Sequence, residues 1–278
     1  MGNSVSYTGA HMKVAWILVP ALFFAISVSS VFPQTSADEL KLGVAAYTEN
    51  HHEQAVQRFE KAVELDPDNI NAHMYLATVY VNQYIPGVDT EDNVHLADKA
   101  IAQYQKALDL NANTEQRVNG AKGIAYLYLN MKKWDDARKY YQMASDLDPN
   151  DPEPPYSIGV IDWSRCYQAR MEGRALLDMK PDQHLNSKNP KQKQLCDELR
   201  AKNWSVIEDG MTNLDKAIQL RPDYDDAMAY LNLMYRERAD LECDDTASRA
   251  RDLKTADEWV DKTLAAKKAK AEKANGPK

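Results

Sequence analysis

One phrase returns along this chain and limits its fold more than any other feature: Ala62-Val63-Glu64-Leu65-Asp66-Pro67, Ala144-Ser145-Asp146-Leu147-Asp148-Pro149 and Ala217-Ile218-Gln219-Leu220-Arg221-Pro222. A fourth copy, Ala107-Leu108-Asp109-Leu110-Asn111-Ala112, keeps the small residue and the leucine spacing but has lost the proline. Proline brings no amide donor and clashes with the turn before it, so each phrase closes a helix. Internal copies of this kind signal stacked units that cannot bury their apolar faces alone. The expected fold is therefore all-α, a row of helix pairs sharing one continuous core.

Reading backwards from each phrase uncovers the rest of a unit. The first holds Leu42-Gly43, Ala46, Ala55, Phe59, Ala62 and Pro67; the second Leu76-Ala77, Tyr80, Ala100, Tyr104 and Ala107; the third Ile124-Ala125, Tyr128, Ala137, Tyr141, Ala144 and Pro149. In the fourth, Ile158-Gly159, Gly210, Leu214, Ala217 and Pro222 match while Asp162 stands where an aromatic is expected, and Leu231-Asn232, Tyr235, Ala256 and Val260 form a terminal cap. This pattern resembles that of the tetratricopeptide-repeat (TPR) family, whose unit is about 34 residues of helix, turn and helix. The resemblance implies an α-solenoid of about five helix hairpins over residues 38–264. Small residues such as Ala55, Ala62, Ala137 and Ala144 let two helix axes approach, and Phe59, Tyr104 and Tyr141 fill the space to the next hairpin.

Three units are longer than the pattern between their two helices. Unit two carries about 11 extra residues around 84–96, unit five about 12 around 240–253, and unit four about 39 centred on 170–202. Within that last insertion, 171–177 reads as a short helical piece and 191–202 as a second amphipathic helix, on either side of Met179-Lys180-Pro181-Asp182. Such a segment is expected either to cover apolar surface as a flap or to close over the groove as a lid. The Lys- and Ala-rich run 265–278 reads as a basic tail, a frayed helical extension or unstructured.

The apolar run 14–31, behind Lys13 and ahead of Pro33-Gln34-Thr35-Ser36-Ala37, has the order of a secretory signal, so residues 1–37 are set apart from the fold. Candidate cuts fall after Ser29 and after Ala37. At about 18 residues the run also reaches the length of an uncleaved inner-membrane anchor. Export makes the expected location periplasmic or secreted, as for an exported bacterial TPR protein. A formal net charge of −8 speaks against nucleic acid, whose binding requires clustered Lys and Arg.

In TPR domains the first helices line the concave face. By that resemblance the groove positions are Leu40, Val44 and Tyr47, then Met74 and Thr78, Lys122 and Tyr126, Tyr156, Val160 and Trp163, and Ala229 and Leu233. The surface is apolar and aromatic. Only Lys122, with Asn119 near it, resembles the clamp by which some relatives hold a peptide carboxylate, so that clamp is not expected. The aromatic side chains have a second reading, as packing between neighbouring units. Of the three cysteines, Cys166 reads as a core residue, while Cys196 and Cys243 lie in or beside insertions of adjacent units and form the preferred disulfide in an oxidising compartment. The histidines show no metal-ligand spacing, and no phosphate loop, serine elbow or metalloprotease helix is present. The expected function is a non-enzymatic scaffold or adaptor of the cell envelope, without cofactor, binding a protein or peptide. A self-associating envelope protein is the alternative, and an enzyme with its site beneath the unit-four insertion is a remote one.

Overall fold

In the computed structural model, which describes residues 1, 34–110, 112–181 and 183–275, helices begin where a short polar side chain can hold the free amides of a first turn. Thr35 and Asp38 form a reciprocal capping box, as do Asn113 and Gln116, and Asn69 and Asn189 cap two further helices. Ten helices result among the described residues: α1 (Ser36–Thr48), α2 (His52–Leu65), α3 (Ile70–Gln83), α4 (Glu91–Asp109), α5 (Thr114–Asn130), α6 (Trp134–Leu147), α7 (Glu153–Leu176), α8 (Pro190–Leu220), α9 (Asp225–Asp240) and α10 (Thr246–Asn275). No strand occurs among them. Within the unit Thr35–Lys278, the helices pair as five hairpins and each hairpin packs on the next. The first helices α1, α3 and α5 also touch in succession, and α7 touches α9.

The seams obey the small-and-large rule. Ala55, Ala62, Ala100, Ala107, Ala137, Ala144 and Ala217 have no exposed surface, and Phe59, Tyr104, Tyr141 and Leu214 are buried beside them. A β-carbon added at Gly43 would stand 2.5 Å from the Phe59 ring, so only glycine admits that approach of α1 to α2. The Ala-x-x-Leu-x-Pro phrases close α2, α6 and α8 as the prolines require.

Three first helices end by one device. Asn50, Lys132 and Asp178 adopt left-handed φ of 61°, 57° and 54°, and the following amide returns to a carbonyl of the last turn: His51 to Ala46, Lys133 to Tyr128 and Met179 to Arg174. In α1 and α5 this gives a tight hairpin. In α7 it comes only after 24 residues.

The unit-four insertion covers apolar surface, with Leu185, Cys196 and Leu199 buried in the core beside α9, and it does so as an extension of the two helices of its own hairpin. Its first part continues α7 to Leu176 and its last part, from Pro190, is the start of the 31-residue α8. Both arms of one hairpin are lengthened around a connector at 177–189, because flanks of helix-forming residues cost less to extend than to break. Lateral contacts hold the extension. Arg170 meets Glu237 with two hydrogen bonds of 2.8 and 2.7 Å, Arg174 lies 3.1 Å from Asp240, and a disulfide joins Cys196 to Cys243 with Cα atoms 6.5 Å apart. Cys166 is a buried free thiol, and burial pushes its pKa up to about 12.

The other insertions are smaller. In unit two, residues 84–90 form a loop in which the Asn93 side chain accepts from the Ile85 amide and donates to the Ile85 and Val88 carbonyls. In unit five the excess becomes a connector at 241–245 and added turns at the start of α10. The basic run is helical through Asn275, and 276–278 lie outside the described residues. The apolar run 14–31 lies outside them too, while no described helix is long and apolar enough to cross a membrane.

Candidate binding groove

Residues at helical spacing place one stripe of each first helix on a common face: Leu40, Val44 and Tyr47 on α1, Asn71, Met74, Tyr75 and Thr78 on α3, and Glu115, Val118, Asn119, Lys122 and Tyr126 on α5. Three adjoining depressions cross this face. The first, about 340 Å³, is lined by Leu40, Lys41, Val44, Asn71 and Tyr75. The second, also about 340 Å³, shares Asn71 and Tyr75 and reaches Met74, Thr78, Gln116 and Asn119. The third, about 480 Å³, shares Asn119 and extends over Glu115, Val118 and Lys122 to Leu147, Asp148 and Asp151 before α7. Gln116 donates to the side-chain oxygen of Asn71 at 2.8 Å, which ties α5 to α3 across the floor. Apolar walls with a row of amides suit an extended chain, since amides can meet its backbone and the walls its side chains.

The expected groove residues fall into two groups. Tyr47, Met74 and Tyr126 lie on the open face: Tyr47 is half-buried with its ring edge-on to His52 at 5.9 Å and its hydroxyl held by Asn82, Met74 lines the middle depression, and Tyr126 is 37% exposed. Lys122 is on this face too, but its ammonium already lies 2.9 Å from Asp151 and against Glu153. Burial opposes its charge, yet the hydrogen bonds to Glu153 and Asp151 prevail and hold its pKa above that of a free lysine. It has no unpaired charge to give a peptide carboxylate.

Tyr156 and Trp163 belong to the second group. The Tyr156 ring lies 4.8 Å from Tyr224 and 5.9 Å from Tyr230, while Trp163 stacks on Tyr167 at 5.0 Å and meets Tyr230 edge-on at 5.4 Å. These rings join α7 to the turn before α9 and to α9 itself. Burial pushes the Tyr224 hydroxyl up to about 12 and Tyr156 still higher. Val160, Ala229 and Leu233 are half-buried on the same helices, and Leu40, Val44 and Thr78 on the open ones.

Tyr75, Asn71 and Gln116 were not among the residues expected from sequence. Tyr75 is 40% exposed and lies flat on Phe59 with centroids 5.5 Å apart, so the repeat's own core aromatic supports it. The signal that could have found it is the i, i+4, i+7 stripe Asn71, Tyr75, Thr78.

A separate cleft of about 470 Å³ lies where α6, α7 and α8 meet, lined by Asp135, Arg138, Asp162, Arg165 and Asp209 among others. Asp162, in the place of the usual aromatic, is 1% exposed; Arg138 donates to one carboxylate oxygen at 3.2 Å, and among the described residues the other has no hydrogen-bond partner. Burial, against the pull of Arg138, raises its pKa to about 6. Among the described residues no group of three His, Cys, Asp or Glu side chains could hold a metal ion.

Family models described as TPR repeat and tetratricopeptide repeat match residues 43–83 and 95–152. The chain is 30% identical over 115 residues to Protein STIP1 homolog of Dictyostelium discoideum, covering 41% of this chain and 19% of that one. It is 31% identical over 105 residues to Photosystem I assembly protein Ycf3 of Synechococcus sp. (strain CC9311), covering 38% and 58%. It thus spans about a fifth of the first relative and somewhat over half of the second. Among solved structures, MamA protein superposes with a TM-score of 0.58 at 14% identity, covering 88% of this chain and 98% of that one. YrrB, described as a TPR protein with an unusual peptide-binding site, gives 0.52 at 16% identity, covering 84% and 93%. Tetratricopeptide repeats are therefore identified at 43–83 and 95–152, and the all-helical solenoid fold is shared with those structures.

Proposed function

We propose that this protein is a non-catalytic scaffold that holds an extended segment of a partner protein in the groove across α1, α3 and α5. The observation that carries this reading is the stripe of Leu40, Val44, Tyr75, Asn71 and Asn119, which faces three adjoining depressions. Burial of such tyrosines and leucines commonly supplies most of the affinity of a peptide interface. A role in assembly or peptide capture agrees with one relative's being a photosystem I assembly protein and with the peptide-binding site of the fold neighbour YrrB. Tyr75→Ala together with Tyr126→Ala is expected to weaken partner capture at least tenfold, with only the small fall in melting temperature that loss of the ring stacked on Phe59 brings. Unchanged capture by that variant would rule the groove out as the binding surface.

The location in this proposal is the periplasm or the exterior, with residues 14–31 as the signal. A cut after Ala37 would fall inside α1 and remove Thr35, which caps it, and Ser36, which donates to the Ala62 carbonyl at 2.8 Å and accepts from Asn69 at 2.9 Å. The cut after Ser29 leaves these contacts whole. Intact-mass measurement of the exported protein is expected to find Ser30 at its amino terminus; a chain still carrying 14–31 would point to the anchor instead.

A further inference from the structure

The two ends of the groove differ in charge. At the α1 end the walls are Leu40, Val44 and Tyr75, and the one ionisable side chain lining the depression besides that tyrosine is Lys41. At the α5 end Glu115, Asp148 and Asp151 line the depression together with Lys122. Asp151 and Glu153 already neutralise that lysine. Among the described residues neither Glu115 nor Asp148 has a cationic partner; the Asp148 carboxylate accepts only the Asn150 amide at 3.1 Å. The residue that looks most like a receptor for a carboxylate thus sits in an excess of negative charge. The polarity of the site is reversed.

A second observation points the same way. Next to this end, α7 begins at Glu153 and carries Tyr156, whose ring lies 4.8 Å from that of Tyr224. The Arg221 guanidinium lies 4.2 Å from the Tyr224 ring centroid. The chain itself therefore places a cation on an aromatic ring of this neighbourhood, the arrangement in which a ring quadrupole attracts ammonium or guanidinium.

We propose that the groove selects an extended segment bearing an aliphatic residue and, about six residues away, a lysine or arginine. The aliphatic side chain sits between α1 and α3, and the cation sits at Glu115 and Asp148. This rests on the groove reading above. The spacing follows from helices in contact lying about 8–10 Å apart, so that two steps across the face are about 20 Å, and from an extended chain advancing about 3.3 Å per residue. Lys41 sets the direction, since it repels a cation from the α1 end.

The test is selection of random peptides of about twelve residues, displayed as internal insertions so that no terminus is free, on the full chain at low salt. The expected winners pair an aliphatic residue with Lys or Arg five to seven positions away. Their binding should weaken about tenfold in the double variant Glu115→Gln with Asp148→Asn, and about as much when salt is raised from about 0.05 to about 0.5 M. Both substitutions keep the shape of the side chain, and the amide oxygen introduced by Asp148→Asn can still accept from the Asn150 backbone. Winners rich in Asp and Glu, or basic winners indifferent to the double variant, would overturn the charge preference while leaving the groove in place. Failure to enrich any peptide, or equal binding to Tyr75→Ala, would overturn the groove reading and this inference with it.

Discussion

Hairpins α1–α2 and α7–α8 are made by the same rules and end up doing different things. Each closes its first helix with a left-handed residue, each seats glycine where the axes approach, and each packs buried small residues along its second helix. Yet α1 leaves Leu40 and Val44 on an open depression, while α7 turns Tyr156 and Trp163 against Tyr224 and Tyr230 of the next unit. The amino-terminal hairpins depend mainly on their seams. The carboxyl-terminal ones add a disulfide, the Arg170–Glu237 pair and the Arg238–Asp252 pair, which is bidentate at 2.9 and 2.7 Å. The repeat pattern determines how helices meet and leaves the fate of the first-helix face to the residues between the pattern positions.

Phe59→Ala should separate the two regions most, with a loss of about 3–5 kcal/mol, because a wholly buried ring would leave a cavity and Tyr75 would lose its support. Hydrogen exchange is expected to quicken in α1–α3 while α7–α10 stay protected. Equal quickening in both halves would mean that they do not differ in the way described. Next comes reduction of Cys196–Cys243. With a sequence separation of 47, opening that loop should cost about 2–4 kcal/mol, read as a lower melting temperature in reductant. Peptide binding at the α1–α5 groove should not change.

Asp162, at the junction of the two regions, gives a smaller effect that depends on pH. Its folded pKa of about 6 lies above the ordinary carboxylate value of 3.8, so the protonated form is the one the fold favours. The stabilisation is complete below about pH 4 and is lost as pH rises through about 6, leaving a penalty of roughly 2–3 kcal/mol near neutral pH. Asp162→Asn should therefore melt at a higher temperature than the natural chain at about pH 7.5, with the gap closing towards about pH 4. A gap that is constant across this range would show that Asp162 is ionised throughout.

Much of the architecture was legible because alanine, glycine and proline act through sterics that do not depend on distant partners. Ala55, Ala62, Ala137 and Ala144 can serve only one purpose at those spacings. The unit-four insertion was harder to read. Whether 171–177 and 191–202 form a flap of their own or lengthen two helices depends on lateral partners, such as Glu237 and Cys243, that no local pattern reveals. The groove divided in the same way. Tyr126 and Met74 were expected on the open face from the resemblance to TPR first helices, whereas the packing of Tyr156 and Trp163 needed the positions of Tyr224 and Tyr230. Lys122 lines the α5 end of the groove, but its neutralisation depends on Asp151 and Glu153, contributed by the next unit.

Hydroxyl-radical footprinting of the chain with and without a saturating selected peptide tests the central contrast most directly. Tyr75 and Tyr126 are expected to become protected while the oxidation of Tyr156 and Trp163 is unchanged. Protection of Tyr156 and Trp163, with Tyr75 and Tyr126 left reactive, would contradict the assignment of the open groove to α1, α3 and α5.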